Sequence, residues 1–158
     1  MPFWPVRAAE DCVLYLKSER LTEEIGGSIC LASTVLYNVG LLAGMSIVER
    51  YCHSVDTYGD ARYFELGRDA AVEYAYRDLR MSNEIDAPLA IRAGVCGGRV
   101  FAEAWSRPDL RLDVQLEVSS IAYVDGEAIE VRTWRTVSLD GRTWTDDLGL
   151  SHHDPPPA

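Results

Sequence analysis

Gly26-Gly27-Ser28-Ile29-Cys30-Leu31-Ala32-Ser33-Thr34 is the most informative run in this chain. Two glycines and a serine at a helix N-cap position lead into an apolar stretch with one thiol in its first turn. The first turn of a helix holds N–H groups without intrahelical partners, and the helix dipole places its positive end there. Both favour a thiolate, the nucleophilic form of cysteine. Cys30 is therefore a candidate activated nucleophile, set against the plainer role of a small buried hydrophobe.

Outward from Cys30, the pattern predicts a helix over 29–43. Leu31, Ala32, Val35, Leu36, Val39, Leu42 and Ala43 are apolar around most of its circumference, the mark of a buried helix. Cys30, Thr34 and Asn38 interrupt them as a polar stripe at i, i+4 and i+8. Gly44 is placed to close the helix in a left-handed cap. Upstream, residues 8–20 have a helix-like mix.

Downstream, 45–50 predicts a short strand leading into His53, and 57–69 an irregular connection of a length that is often functional. Val72, Tyr74 and Tyr76 alternate with Glu73, Ala75 and Arg77 as in a strand. Residues 89–95 and 100–105 flank Gly97-Gly98 as a hairpin. Leu110, Leu112, Val114, Leu116 and Val118 alternate with polar residues, predicting a strand with one wet face. Asp125-Gly126 and Asp140-Gly141 mark two further tight turns. The expected organisation is one domain over 1–150 and a disordered tail over 151–158, where His152-His153-Asp154 precedes three prolines.

The chain has 158 residues, 47% hydrophobic and 25% charged, which fits a globular domain with a real core. Its formal net charge of −10 argues against nucleic acid, which demands clustered Lys and Arg, and against anionic lipid. Solubility is the simpler meaning of that charge. Cys12, Cys30, Cys52 and Cys96 are widely spread and lack the close pairing of a zinc site, so no metal or other cofactor is expected. Two disulfides are conceivable, but a domain of this size does not need them. Cys52, beside His53, reads as a resolving or structural thiol or as simple packing.

The run Gly26-Gly27, Cys30, Ser33-Thr34 and Leu36-Tyr37-Asn38 is followed by Glu49-Arg50, His53-Ser54 and Gly67-Arg68-Asp69-Ala70. In order and spacing these elements resemble the VanW family, named after an accessory protein of vancomycin-resistance gene clusters. Phe3-Trp4 is similar to what remains of the family's aromatic opening. Ser28 and Leu31 stand where the family commonly has Gly and Gln, and Tyr51 replaces a His often found two positions before His53. The resemblance implies a cell-envelope protein, whereas no signal peptide or membrane-length apolar run is visible in this sequence.

A buried helix with Cys at its tip, followed by an antiparallel sheet carrying a His, suggests by analogy the α+β layout of papain-like and NlpC/P60 enzymes. On that layout Cys30 attacks a carbonyl, His53 takes and returns the proton, and a third group orients the imidazole. Asp69, the Asp of the family's Gly-x-Asp element, is the first choice for that group, with turn capping as its alternative. Main-chain N–H groups around Ile29 and Cys30 offer an oxyanion site, with Gly27 and Ser28 beside it as substrate surroundings. Ser33, Thr34, Tyr37 and Asn38 are motif residues of packing and substrate surroundings. Ser54 bonds either the imidazole or local backbone. Arg50 and Arg68 face either a substrate carboxylate or the surface.

The family resemblance then implies a peptidoglycan L,D-transpeptidase acting on stem peptides, with 3–3 cross-links as product. A cysteine amidase or peptidase on the same peptides, and a non-catalytic accessory module, are the alternatives. The oligomeric state has no signature in the sequence.

Overall fold

The computed structural model describes residues 4–5, 16–17, 29–56, 64–97, 99–124 and 128–154. Among them lie one helix, α1 (Ile29–Leu42), and nine strands. The strands are β1 (Trp4–Pro5), β2 (Leu16–Lys17), β3 (Ser46–Glu49), β4 (Arg80–Ser82), β5 (Ala90–Cys96), β6 (Arg99–Ser106), β7 (Leu112–Val124), β8 (Ala128–Leu139) and β9 (Arg142–His153).

The papain-like α+β layout is not what forms. The fold is mostly β, its strands divided among three antiparallel sheets. β6 pairs with β1, β2 and β5; β3 pairs with β4; and β7-β8-β9 form a meander of long strands. The reason lies in the second half of the chain. Its alternating residues carry far more strand than a sheet facing one helix requires, and short connections let β8 fold back on β7 and β9 on β8. Asp140 and Gly141, at φ 47° and 84°, make the turn between β8 and β9 as expected.

Helix α1 follows its apolar pattern and ends in a Schellman cap. Met45 N–H reaches Gly40 O at 2.9 Å, Gly44 N–H reaches Leu41 O at 3.1 Å, and Gly44 adopts φ 72°. Arg135, buried in β8, adds Nη1 bonds to the Leu41 and Met45 carbonyls, a cation at the negative end of the helix. One side of α1 (Val35, Val39, Ala43) packs with Met45 and with Ala102 and Ala104 of β6. The other side (Tyr37, Leu41) packs with Ala70 and with Leu116 and Leu148 of the meander.

Three local expectations change. Tyr74 and Tyr76 are 97% and 79% exposed in a turn, so their alternation is not that of a strand. Within 8–20 the described residues, Leu16 and Lys17, form β2 and not a helix. Residues 151–153, expected in a disordered tail, complete β9 and bury Ser151 and His153. The Asp125-Gly126 turn, Cys12, residues 57–63 and 155–158 lie outside the described residues.

Candidate active site

The polar stripe of α1 has a structural partner. Residues 68–72 run antiparallel along the helix as an extended strap. Asn38 Nδ2 donates to Arg68 O at 2.7 Å, Thr34 Oγ1 accepts from Ala70 N–H at 3.0 Å, and Cys30 Sγ donates to Val72 O at 3.5 Å. Four helical residues rise about 6 Å, and two extended residues span about 6.6 Å. Side chains at i, i+4 and i+8 therefore meet every second residue of the strap. Ser33 Oγ strengthens the middle rung on Ala70 O, and Arg68 Nε closes the far one on Asn38 Oδ1 at 2.9 Å.

The strap's other edge faces residues 50–53. Ala71 N–H donates to Tyr51 O at 2.8 Å, and Asp69 projects its carboxylate to His53. Asp69 is fully buried and fully used. Its Oδ2 accepts from the main-chain N–H of His53 at 2.6 Å and lies 2.6 Å from His53 Nδ1. Its Oδ1 pairs with Arg50 Nη2 at 2.7 Å, while Arg50 Nε donates to the Asp69 main-chain carbonyl at 2.7 Å. Burial works to raise the Asp69 pKa, but the His53 hydrogen bonds and the Arg50 charge outweigh it and hold the carboxyl below its ordinary value. Asp69 is thus an ionised group touching the imidazole.

Arg50 is no substrate clamp. Its side chain is 8% exposed, with its guanidinium over the Tyr37 ring at 5.3 Å and Nη1 on Ser151 Oγ at 2.7 Å. Arg68 is likewise engaged, with Asn38 and, at 3.8 Å, Glu65. Tyr37 is fully buried and its hydroxyl has no partner; burial raises its pKa above the ordinary value. Ser54 is exposed, and its carbonyl accepts from Asp154 N–H at 2.7 Å. Gly27 and Ser28 lie outside the described residues.

The structure brings His53, Asp69 and Arg50 together, while the Cys30 thiol bonds the Val72 carbonyl. Cys30 lies level with Val72, three strap positions from Asp69, about 10 Å of extended chain. Cys30, Cys52 and Cys96 are free thiols. An open cleft of about 1090 Å³ runs beside the first two turns of α1, lined by Ile29, Ser33, Leu36, Val72, Tyr74 and Tyr76 among others. Among the described residues no group of three or more His, Cys, Asp or Glu side chains is disposed to hold a metal ion. No helix among them is long and apolar enough to cross a membrane.

Sequence reasoning missed Ser151 and His153. The only available signal was that β9 alternates, with His152 on its wet face, and three following prolines masked it. His153 is 2% exposed and its Nε2 has no partner. Burial pushes its pKa down, Asp69 and a hydrogen bond to the His53 main chain oppose that, and Arg50 adds to it.

Comparison with known proteins places this site in a family. The uncharacterized protein YoaR of Bacillus subtilis (strain 168) is 37% identical over 86 residues, which cover 54% of this chain and 27% of YoaR. The matched part thus spans about a quarter of that relative's length. No solved structure matches the chain. The family model described as VanW like protein matches residues 12–105, which include α1, the strap, His53 and the β5–β6 hairpin. The chain belongs to the VanW-like family.

Proposed function

We propose that this domain is a cysteine peptidoglycan L,D-transpeptidase. Cys30 Sγ attacks the carbonyl of the third residue of a donor stem peptide, and the bond to the terminal D-amino acid breaks. The thiol proton passes through His53 to the departing amine. An amine of a neighbouring stem peptide then attacks the thioester, gives up its proton to the imidazole, and restores the thiol. The resulting 3–3 cross-link does not use the D-Ala-D-Ala terminus that vancomycin binds, which would account for the family's tie to glycopeptide resistance.

The observation that carries this reading is the His53–Asp69 pair. A buried carboxylate on Nδ1 fixes the imidazole's tautomer and turns the other nitrogen to proton transfer, the arrangement of a general base. The free thiol of Cys30 in the first turn of α1 supports it.

A second reading, a non-catalytic accessory module, is favoured by the strap register. Cys30 acts there as the third rung of a structural ladder, its thiol spent on the Val72 carbonyl. One experiment separates the two. A stem tetrapeptide is incubated with the protein, and the intact mass is followed before and after adding an amine acceptor. The transferase gives an adduct that Cys30→Ser abolishes and that the amine releases as a 3–3 dimer. Release by water alone indicates an amidase. Absence of any adduct while the peptide still binds indicates the accessory module.

A further inference from the structure

The segment carrying His53 is held along both edges. The strap lies on one side, through the Tyr51–Ala71 pairing. On the other runs the end of β9, parallel to it, with Asp154 N–H on Ser54 O at 2.7 Å and Asp56 N–H on Asp154 O at 3.0 Å. Ser151 and His153 project from the buried face of that strand, while His152 faces outward. These residues lie beyond the 12–105 match, and nothing in the family pattern assigns them a role.

Ser151 Oγ is the third anchor of a single guanidinium. Arg50 uses Nε and Nη2 on Asp69, stacks on Tyr37, and has Nη1 left for Ser151. The fork is rigid and planar, so fixing Nη1 fixes where Nη2 points. A buried Nη1 stripped of its acceptor must turn toward another, and Nη2 turns with it. Asp69 Oδ1 then loses its partner, and the carboxylate, held on Oδ2 by the His53 main-chain N–H alone, is less firmly aligned on His53 Nδ1.

We propose that Ser151 is a positioning residue for the His53–Asp69 pair, acting through Arg50, so that the functional unit of this chain extends to the end of β9. The inference concerns the geometry of the pair and stands whether or not the transferase reading does.

The test is the His53 Nδ1 proton, observed by NMR in the full chain and assigned by its loss in His53→Gln. Ser151→Ala should speed its exchange with solvent by on the order of tenfold or more, the weight of one charge-assisted hydrogen bond. In an Arg50→Lys background, which lacks the fork, Ser151→Ala should add nothing. Exchange within about twofold of the unaltered protein overturns the proposal, and so does an equal effect in both backgrounds. Should Ser151→Ala fail to fold, the unaltered protein decides. A pinned fork gives Arg50 separate, slowly exchanging Nη resonances, and rapidly averaged ones refute the anchoring.

Discussion

Asp69→Asn tests the centre of the site because the substitution keeps shape and removes charge. Asp69 receives Arg50 Nη2 on one oxygen and two His53 nitrogens on the other. An amide has one oxygen. If that oxygen faces His53 N–H, the NH2 group meets Arg50; if it faces Arg50, the NH2 group meets the His53 main-chain donor. Neither flip satisfies both sides, and Arg50, 8% exposed, keeps a charge without its counterion. Breaking a buried ion pair by removing one partner costs about 3–5 kcal/mol. At about 2–4 °C per kcal/mol for a chain of this size, the midpoint should fall by roughly 6–20 °C. Urea and thermal unfolding at pH 7 measure it. The Asp69 carboxyl is held below its ordinary value, so its contribution is present above about pH 3.8 and is lost as pH falls through the lower folded value. The difference between the two proteins should therefore narrow in acid. A loss under about 1 kcal/mol at pH 7, or a difference that does not change with acid, refutes this account of the site.

His153 has a folded pKa lowered chiefly by burial, so neutral His153 contributes stability above about pH 6.5 that is lost as pH falls below it; the urea midpoint should drop between pH 7.5 and 5, and His153→Phe should flatten that drop. Gly67 has φ 83°, and an added Cβ would run into Thr133 Oγ1 and come within 3.1 Å of Val131 Cγ2, so Gly67→Ala should cost about 2–5 kcal/mol by denaturant titration, part of it recovered by Thr133→Ala. His53→Ala should abolish turnover of stem peptide while leaving the melting midpoint within a few degrees, and retained turnover would move the base elsewhere.

What the sequence made legible were features with local causes. Helix α1, its Gly44 cap and the Ala90–Ser106 hairpin follow from periodicity and turn chemistry that a few neighbouring residues determine. Asp69 came into view beside His53 through the family's Gly-x-Asp element and its nearness in sequence, with turn capping left open as its other role. The global layout was not legible. An apolar helix followed by strands is compatible with several architectures, and turn signals such as Asp140-Gly141 do not say that β7–β9 make a sheet of their own. Tyr74 and Tyr76 misled because alternation signals a strand only where one face is buried, and neither ring is. Ser151 and His153 were hidden because their burial comes from contacts about 100 residues away in sequence, with Arg50 and its neighbours. Composition near a chain end carries no trace of that.

The cost of the polar cluster bears on its meaning. Tyr37 OH and His153 Nε2 are buried without partners, beside an ion pair that is itself removed from water. An unsatisfied buried group costs about 1–3 kcal/mol, and apolar replacements of buried ion pairs are often neutral or stabilising. A cluster kept only to hold the strap in place would thus be cheaper as Phe and Leu. Its polar residues converge on one partly exposed side chain, the imidazole of His53, whose Nδ1 they fix. Departures from stable packing are expected where a side chain must be oriented for work, and here the departure lies under His53 and not under Cys30. Of the two halves of the proposed mechanism, the base is therefore the one around which the fold concentrates its buried polar groups, whereas the thiol is held by one weak hydrogen bond to Val72 O.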